Sequence, residues 1–179
     1  MRLISPYLLL LNLILVGCSE SNTDKVKRVS PERILPIETG KDVHINYTDS
    51  GLTKARVKAP LLERYATEDK NYTEMRYGIS VDFLNKNGKV ESFLKAKYAI
   101  RYDREKRMIA RNDVVVLNIA GDTLRTEELI WEEATQRVYS DKFVRITTKS
   151  EIIMGDGFES DITFKNPKIH KIRGIVNLK

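Results

Sequence analysis

The chain has 179 residues, 41% hydrophobic and 31% charged, with 31 Lys and Arg against 25 Asp and Glu for a net charge of +6. This length suits one domain of ordinary size, and so modest an excess of base fits a generic basic surface as well as an anionic partner. With a single cysteine in the whole chain, an internal disulfide and a multi-cysteine metal site are both excluded.

In chain order, the first element is the apolar run from Tyr7 to Val16, broken only by Asn12 and preceded by Arg2. At about 10 residues it is too short to span a bilayer, which takes roughly 20, and it reads as the h-region of a secretory signal. Leu15-Val16-Gly17-Cys18 then matches a bacterial lipobox, which makes the lone thiol of Cys18 a lipid attachment point. Residues 1–17 are therefore expected to be a lipoprotein signal peptide. Residues 18–40 are polar, aperiodic and interrupted by Pro31 and Pro36, and read as a lipidated tether. Residues 41–179 form the expected folded domain.

From about Lys41 onward the dominant period is two. Met75, Tyr77, Ile79, Val81 and Phe83 alternate with polar residues and predict one half-buried strand. The turn Asn85-Lys86-Asn87-Gly88 follows, and the alternation resumes through Leu94, Ala96, Tyr98 and Ile100 to Tyr102, so two long strands form a hairpin. Further strands are expected over 109–119, 124–131, 138–148, 152–164 and 169–176, each bounded by polar, Gly or Pro residues. No helical stripe occurs in this region. Residues 100–117 also echo 129–146 at a shift of 29, matching Ile109 with Val138, Val115 with Val144 and Leu117 with Ile146. A two-strand repeat of this kind implies stacked hairpins. Such hairpins must cover their apolar face with a second sheet or by closure. The predicted core is Tyr77, Ile79, Val81, Phe83, Leu94, Tyr98, Ile100, Val116, Ile130, Val144, Ile146 and Phe164.

Little in the sequence points to catalysis. His44 and His170 are far apart, no Ser-His-Asp cluster, metal-ligand spacing or phosphate loop is present, and no enzyme, cofactor, metal or nucleic-acid partner is expected. Glu127, Glu128, Glu132 and Glu133 flank Trp131 at a strand end, which suits solvated side chains better than a carboxylate dyad. The stretch GDGFESD, with Asp156, Glu159 and Asp161, lacks the array that calcium-binding loops of this kind need.

GDTLRTEELIWEEATQRVYSDKFVRI (121–146), followed by IIMGDGFESD (152–161), resembles the OstA-like repeat of the lipopolysaccharide export bridge, in particular the LptC family. The shared features are a Gly-x-x-Leu-x-Thr strand start, the Trp131-Glu132 turn, a Ser-Asp-x-x-Val strand and a Gly-x-Gly-Phe ending. The likeness covers roughly residues 41–176. It departs at the N-terminus, where familiar members keep a transmembrane helix and this chain has a lipobox.

The resemblance implies an all-β antiparallel jellyroll, an open sandwich whose apolar groove is lined by Tyr77, Ile79, Val81, Phe83, Leu94, Tyr98, Ile130, Ile146 and Phe164. It also implies lipopolysaccharide taken from an inner-membrane ABC transporter of LptBFG type and passed to an LptA-like periplasmic bridge protein. The protein would sit on the periplasmic side of the envelope, lipid-anchored, most simply to the inner membrane. The last strand, with Ile169, Lys171, Ile172, Arg173, Gly174 and Val176, would be the edge facing the bridge protein, and the edge around Val43 to Tyr47 would face the transporter. Two other classes fit the residues, a lipoprotein that only scaffolds an envelope complex and a secreted hydrolase. Bound lipid distinguishes the first from a carrier, and turnover of an envelope polymer would reveal the second.

Overall fold

The computed structural model describes residues 34–67, 71–164 and 167–178. The range read as a signal peptide, Cys18 in the lipobox-like stretch, and most of the range read as a tether lie outside the described residues. Twelve strands follow one another among the described residues: β1 (Glu38–Asp49), β2 (Leu52–Ala66), β3 (Asn71–Met75), β4 (Ile79–Leu84), β5 (Val90–Ala96), β6 (Tyr98–Tyr102), β7 (Arg107–Asn118), β8 (Thr123–Glu132), β9 (Arg137–Thr147), β10 (Glu151–Asp161), β11 (Lys168–Ile169) and β12 (Ile172–Asn177). All pairings are antiparallel, and the order β1-β2-β4-β5-β7-β8-β9-β10-β12 runs beside β2-β3-β6-β7-β8-β9-β10-β11. β1 begins at Glu38, inside the range read as tether.

The architecture follows from strands that fold back in their middles. The segment from Met75 to Phe83 is not one strand. β3 ends at Met75 and β4 starts at Ile79, with a turn over 76–78 between them. Gly78 makes this turn possible: its φ is +89° and a Cβ there would lie 2.6 Å from the Ala96 carbonyl oxygen. The return half of the hairpin breaks at Lys97, so β3 pairs with β6 and β4 pairs with β5. Further along the stack, bulges interrupt the pairing at the same level, between Arg111 and Val114 in β7–β8, Thr126 and Ile130 in β8–β9, and Asp156 and Phe158 in β9–β10, with the extra residue on β7 in the first and on β9 in the other two. Asn112 and Asp113 accept φ of +63° and +55° at the first of these. A bulge bends its strand. Aligned bulges therefore fold the sheet into two facing layers, which is the expected jellyroll.

The first layer holds β4, β5 and β12 with the adjoining halves of the long strands, and the second holds β3, β6 and β11. Between them lies the core, in which Val57, Val81, Leu94 and Val116 from the first layer meet Met75, Leu129, Trp131 and Val138 from the second. Each bulge adds residues on one strand and can invert the alternation beyond it. In β8 the inward residues are Leu124 and Thr126 before the bulge but Leu129 and Trp131 after it. The repeat read from the sequence is real but its structural period is 30. Met108, Val114 and Val116 correspond inwardly to Val138, Val144 and Ile146, and Lys106 and Gln136 share the same positive φ in the two hairpin turns. A shift of 29 pairs residues on opposite faces, as with Leu117, exposed, and Ile146, buried.

Candidate lipid-binding interior

Of the groove residues expected from sequence, Ile79, Val81, Phe83, Leu94, Ile146 and Phe164 lie between the layers, all buried. Tyr77, Tyr98 and Ile130 do not. Tyr77 stands on the 76–78 turn and is 71% exposed. Tyr98 follows the break at Lys97, which flips the alternation, so it points outward and its hydroxyl donates to Glu74 Oε1 at 2.8 Å. Burial on that outer face, reinforced by this hydrogen bond, pushes the Tyr98 phenol up to about 12. Ile130 follows the change of phase in β8 and joins Ile100 and Ile109 in a cross-strand row on the same outer face. Ile100, predicted as core, is buried in this outer row.

The interior holds an apolar passage in three parts. At its centre is a cavity of about 20 Å³ lined by Val57, Val81, Leu94, Met108, Leu129 and Trp131. That volume is enough for about one water and too small for an acyl chain. Toward β1 it widens into a mouth of about 620 Å³ that shares Val57, Met108 and Trp131 with the centre and adds Tyr47 and Met75. The rings of Tyr47 and Trp131 meet there edge to face, 4.9 Å apart. Toward β10 and β11 a second mouth of about 240 Å³ is lined by Leu124, Ile146, Ile153, Phe158, Phe164 and Ile169. Phe164 belongs to both this mouth and the central cavity. It comes from the turn after β10, holds φ at +55°, and lies between Phe83 (5.6 Å) and Phe158 (6.3 Å). The ring thus closes the passage at one end. Tyr47, Met75, Met108, Trp131 and Phe158 were missed as lining residues, although the acid-flanked Trp131 was the signal that could have found the centre of the passage.

Paired charges line part of the first mouth, namely Glu38, Arg64, Arg101 and Asp103. Arg101 pairs with Glu133, and its Nε donates to Asp103 Oδ1 at 3.1 Å. Arg64 lies 3.9 Å from Asp103 and 3.8 Å from Glu38. The acids around Trp131 are tied in the same way: Glu128 to Arg111, Glu132 to the hydroxyls of Tyr139 and Thr135. In GDGFESD, Asp156 accepts from Arg173, Glu159 from Arg137 and Asp161 from Thr163. The glycines serve close packing there, since a Cβ at Gly155 would lie 2.7 Å from the His170 carbonyl oxygen. Among the described residues no three His, Cys, Asp or Glu side chains converge as a cation site.

At its two ends the stack leaves edges unpaired. Among the described residues β1 pairs only with β2, and β11 and β12 pair only with β10. Ile172 and Ile175 on β12 are 56% and 55% exposed, whereas Ile169 packs against the core.

With this geometry in place, the family profile described as Lipopolysaccharide-assembly, LptC-related matches residues 7–174. The chain belongs to the LptC-related family. As an LptC-related protein it is a component of lipopolysaccharide transport. No curated protein matches the sequence. In this LptC-related jellyroll the three spaces line up between the β1 end and the β10–β11 end of the stack.

Proposed function

We propose that the protein carries the acyl chains of lipopolysaccharide through its interior, receiving them at the β1 end and releasing them at the β10–β12 end. The observation that carries this reading is a pair of hollows at opposite ends of the stack, joined through a narrow apolar centre that Phe164 closes on one side, in a chain whose family works in lipopolysaccharide assembly. Burial of acyl chains contributes roughly 0.8 kcal/mol per CH₂, so such an interior needs no catalytic residue to hold its cargo. The lining comprises Ile79, Val81, Phe83, Leu94, Ile146 and Phe164 with Met75, Met108, Trp131 and Phe158. Family membership suggests the periplasmic side of the inner membrane. An ABC transporter of LptBFG type would dock at β1 and supply the energy, an LptA-like bridge protein would dock at β12, and an acylated Cys18 would anchor the chain.

Photo-crosslinking tests the carriage. A photo-reactive residue at Trp131 or Phe158 is expected to capture lipopolysaccharide in cells, whereas one at Ile130, next to Trp131 but on the opposite face, or at its cross-strand partner Tyr139 is not. Equal capture on both faces would overturn the reading. The closed centre suits a packed scaffold equally well, and absence of capture at Trp131 and Phe158 together would favour that second reading.

Docking at β12 would proceed by β-augmentation, in which backbone hydrogen bonds give affinity and the exposed apolar side chains specify the partner. Lysines guard an edge against such pairing. Ile172→Lys with Ile175→Lys is therefore expected to abolish capture of the bridge protein in a pull-down. Both side chains are exposed, so each substitution should cost only about 0.5 kcal/mol. Unchanged capture by the double variant would remove β12 from the interface. Deleting the whole segment is a poorer test, because Ile169 packs against the core.

A further inference from the structure

The two outer faces of the jellyroll differ in how their charges are satisfied. On the second layer, Arg76 pairs with Glu63 and Glu74 at 2.9 Å, Arg111 with Glu128 at 2.6 Å and Arg137 with Glu159 at 2.9 Å. On the first layer, the side chains of Arg56, Lys58 and Arg145 have no ion-pair or hydrogen-bond partner among the described residues. Lys95 has only the ring of Phe93, 5.4 Å away. Register aligns these cations. Lys58 faces Ser80, Ser80 faces Lys95, Lys95 faces Val115, Val115 faces Arg125, and Arg125 faces Arg145. With strands about 4.8 Å apart, charge recurs roughly every 10 Å and then in direct opposition at Arg125 and Arg145. Like charges directly opposite destabilise a sheet. Asp113, 3.9 Å from Arg125 and 3.4 Å from Lys97, offsets only part of the row.

Beside the row the outer face is hollow rather than flat. A groove of about 670 Å³ crosses β1, β2, β4, β5 and β7, and its lining combines His44, Lys58, Tyr77, Phe93, Lys95 and Lys97 with two acids, Asp42 and Asp113, of which Asp113 pairs with Lys97. Tyr77 forms a wall because the fixed turn at Gly78 holds its ring out from the sheet.

We propose that this groove binds a phosphorylated saccharide. Ammonium and guanidinium groups at this spacing suit successive phosphates, and the rings of Tyr77 and Phe93 suit the apolar C–H faces of sugar rings. The concavity accepts a chain and does not fit a planar bilayer. The cationic row stands independently of the interior passage. The choice of saccharide as the bearer of the phosphates rests on the lipopolysaccharide reading above.

Titration calorimetry on the full chain, with a fully deacylated bisphosphorylated glucosamine disaccharide as the probe, tests the site without involving acyl chains. Binding is expected to weaken about tenfold in Lys58→Gln/Lys95→Gln/Arg145→Gln, to weaken with added salt, and to survive in Arg137→Gln on the other face. The dephosphorylated disaccharide should not bind. All four positions lie at the surface, and circular dichroism verifies that the variants are folded. The proposal fails if the triple variant binds as the parent does, or if inorganic phosphate binds as tightly as the disaccharide. It fails also if the substitutions abolish binding to phosphatidylglycerol vesicles but leave the disaccharide unaffected, which would make the face a membrane surface. Loss of interior crosslinking with disaccharide binding intact would overturn the carriage reading and leave this site standing.

Discussion

Phe164→Ala is expected to lower the stability of the domain by about 3–5 kcal/mol, the usual cost of removing a buried phenyl ring, and to speed uptake of an acyl-chain probe. The ring touches Phe83 and Phe158 and lies on both the central cavity and the second mouth. Its removal therefore joins two spaces that it now divides. Urea denaturation reads the first effect and stopped-flow fluorescence of a labelled fatty acid reads the second. If stability falls while uptake is unchanged, Phe164 is part of the packing and does not gate the passage.

Val144→Asp is expected to be still more damaging, beyond about 4 kcal/mol at pH 7, whereas Phe143→Asp next to it should be nearly neutral. Val144 is 0% exposed and Phe143 is 47% exposed, because they face opposite sides of β9 just past the bulge. A carboxylate at 144 would face Gly155 and Thr126, whose hydroxyl is already engaged with Ser140 and the Phe143 carbonyl, and the dry surroundings raise its folded-state pKa above the unfolded value of about 3.9. The sign of the pH dependence follows. Between those two values the folded state holds the proton more tightly, so stability declines as pH rises through the window and the deficit is smallest in acid. Urea melts at pH 4.5 and pH 7 check this. A deficit that is equal at the two pH values would mean that the interior admits water at this level.

Much of the fold was legible because a period of two survives wherever a strand is continuous. Val81, Phe83 and Leu94 were placed correctly by alternation alone, and so were the hairpin turn at Asn85–Gly88 and the all-β class. What alternation cannot carry is a change of phase inside a strand. Tyr98 and Ile130 follow such changes and emerged on the outside. Tyr77 looked like one more inward residue because nothing in a binary pattern distinguishes a strand from a strand–turn–strand that keeps the same spacing. For the passage, Phe164 was legible as an aromatic in the core pattern, but the inward turn of Trp131 depends on a change of phase in β8 that alternation does not show. The off-by-one in the repeat has the same origin, since matching by residue type favoured Leu117 over Val116 as the counterpart of Ile146.

The aligned bulges also make the domain mechanically anisotropic. Pulling along the stack strains complete ladders of backbone hydrogen bonds, strand by strand, and meets high resistance. Splaying the two layers apart bends each strand at a level where the ladder is already interrupted, between Arg111 and Val114, Thr126 and Ile130, and Asp156 and Phe158. Side-chain contacts oppose that motion, with a few backbone bonds at the bend such as Lys97 N–H to the Asn112 carbonyl at 3.0 Å. Like a book that opens along its binding while its pages stay whole, the jellyroll can change its internal width without giving up the backbone pairing that keeps it in register with whatever extends its edges.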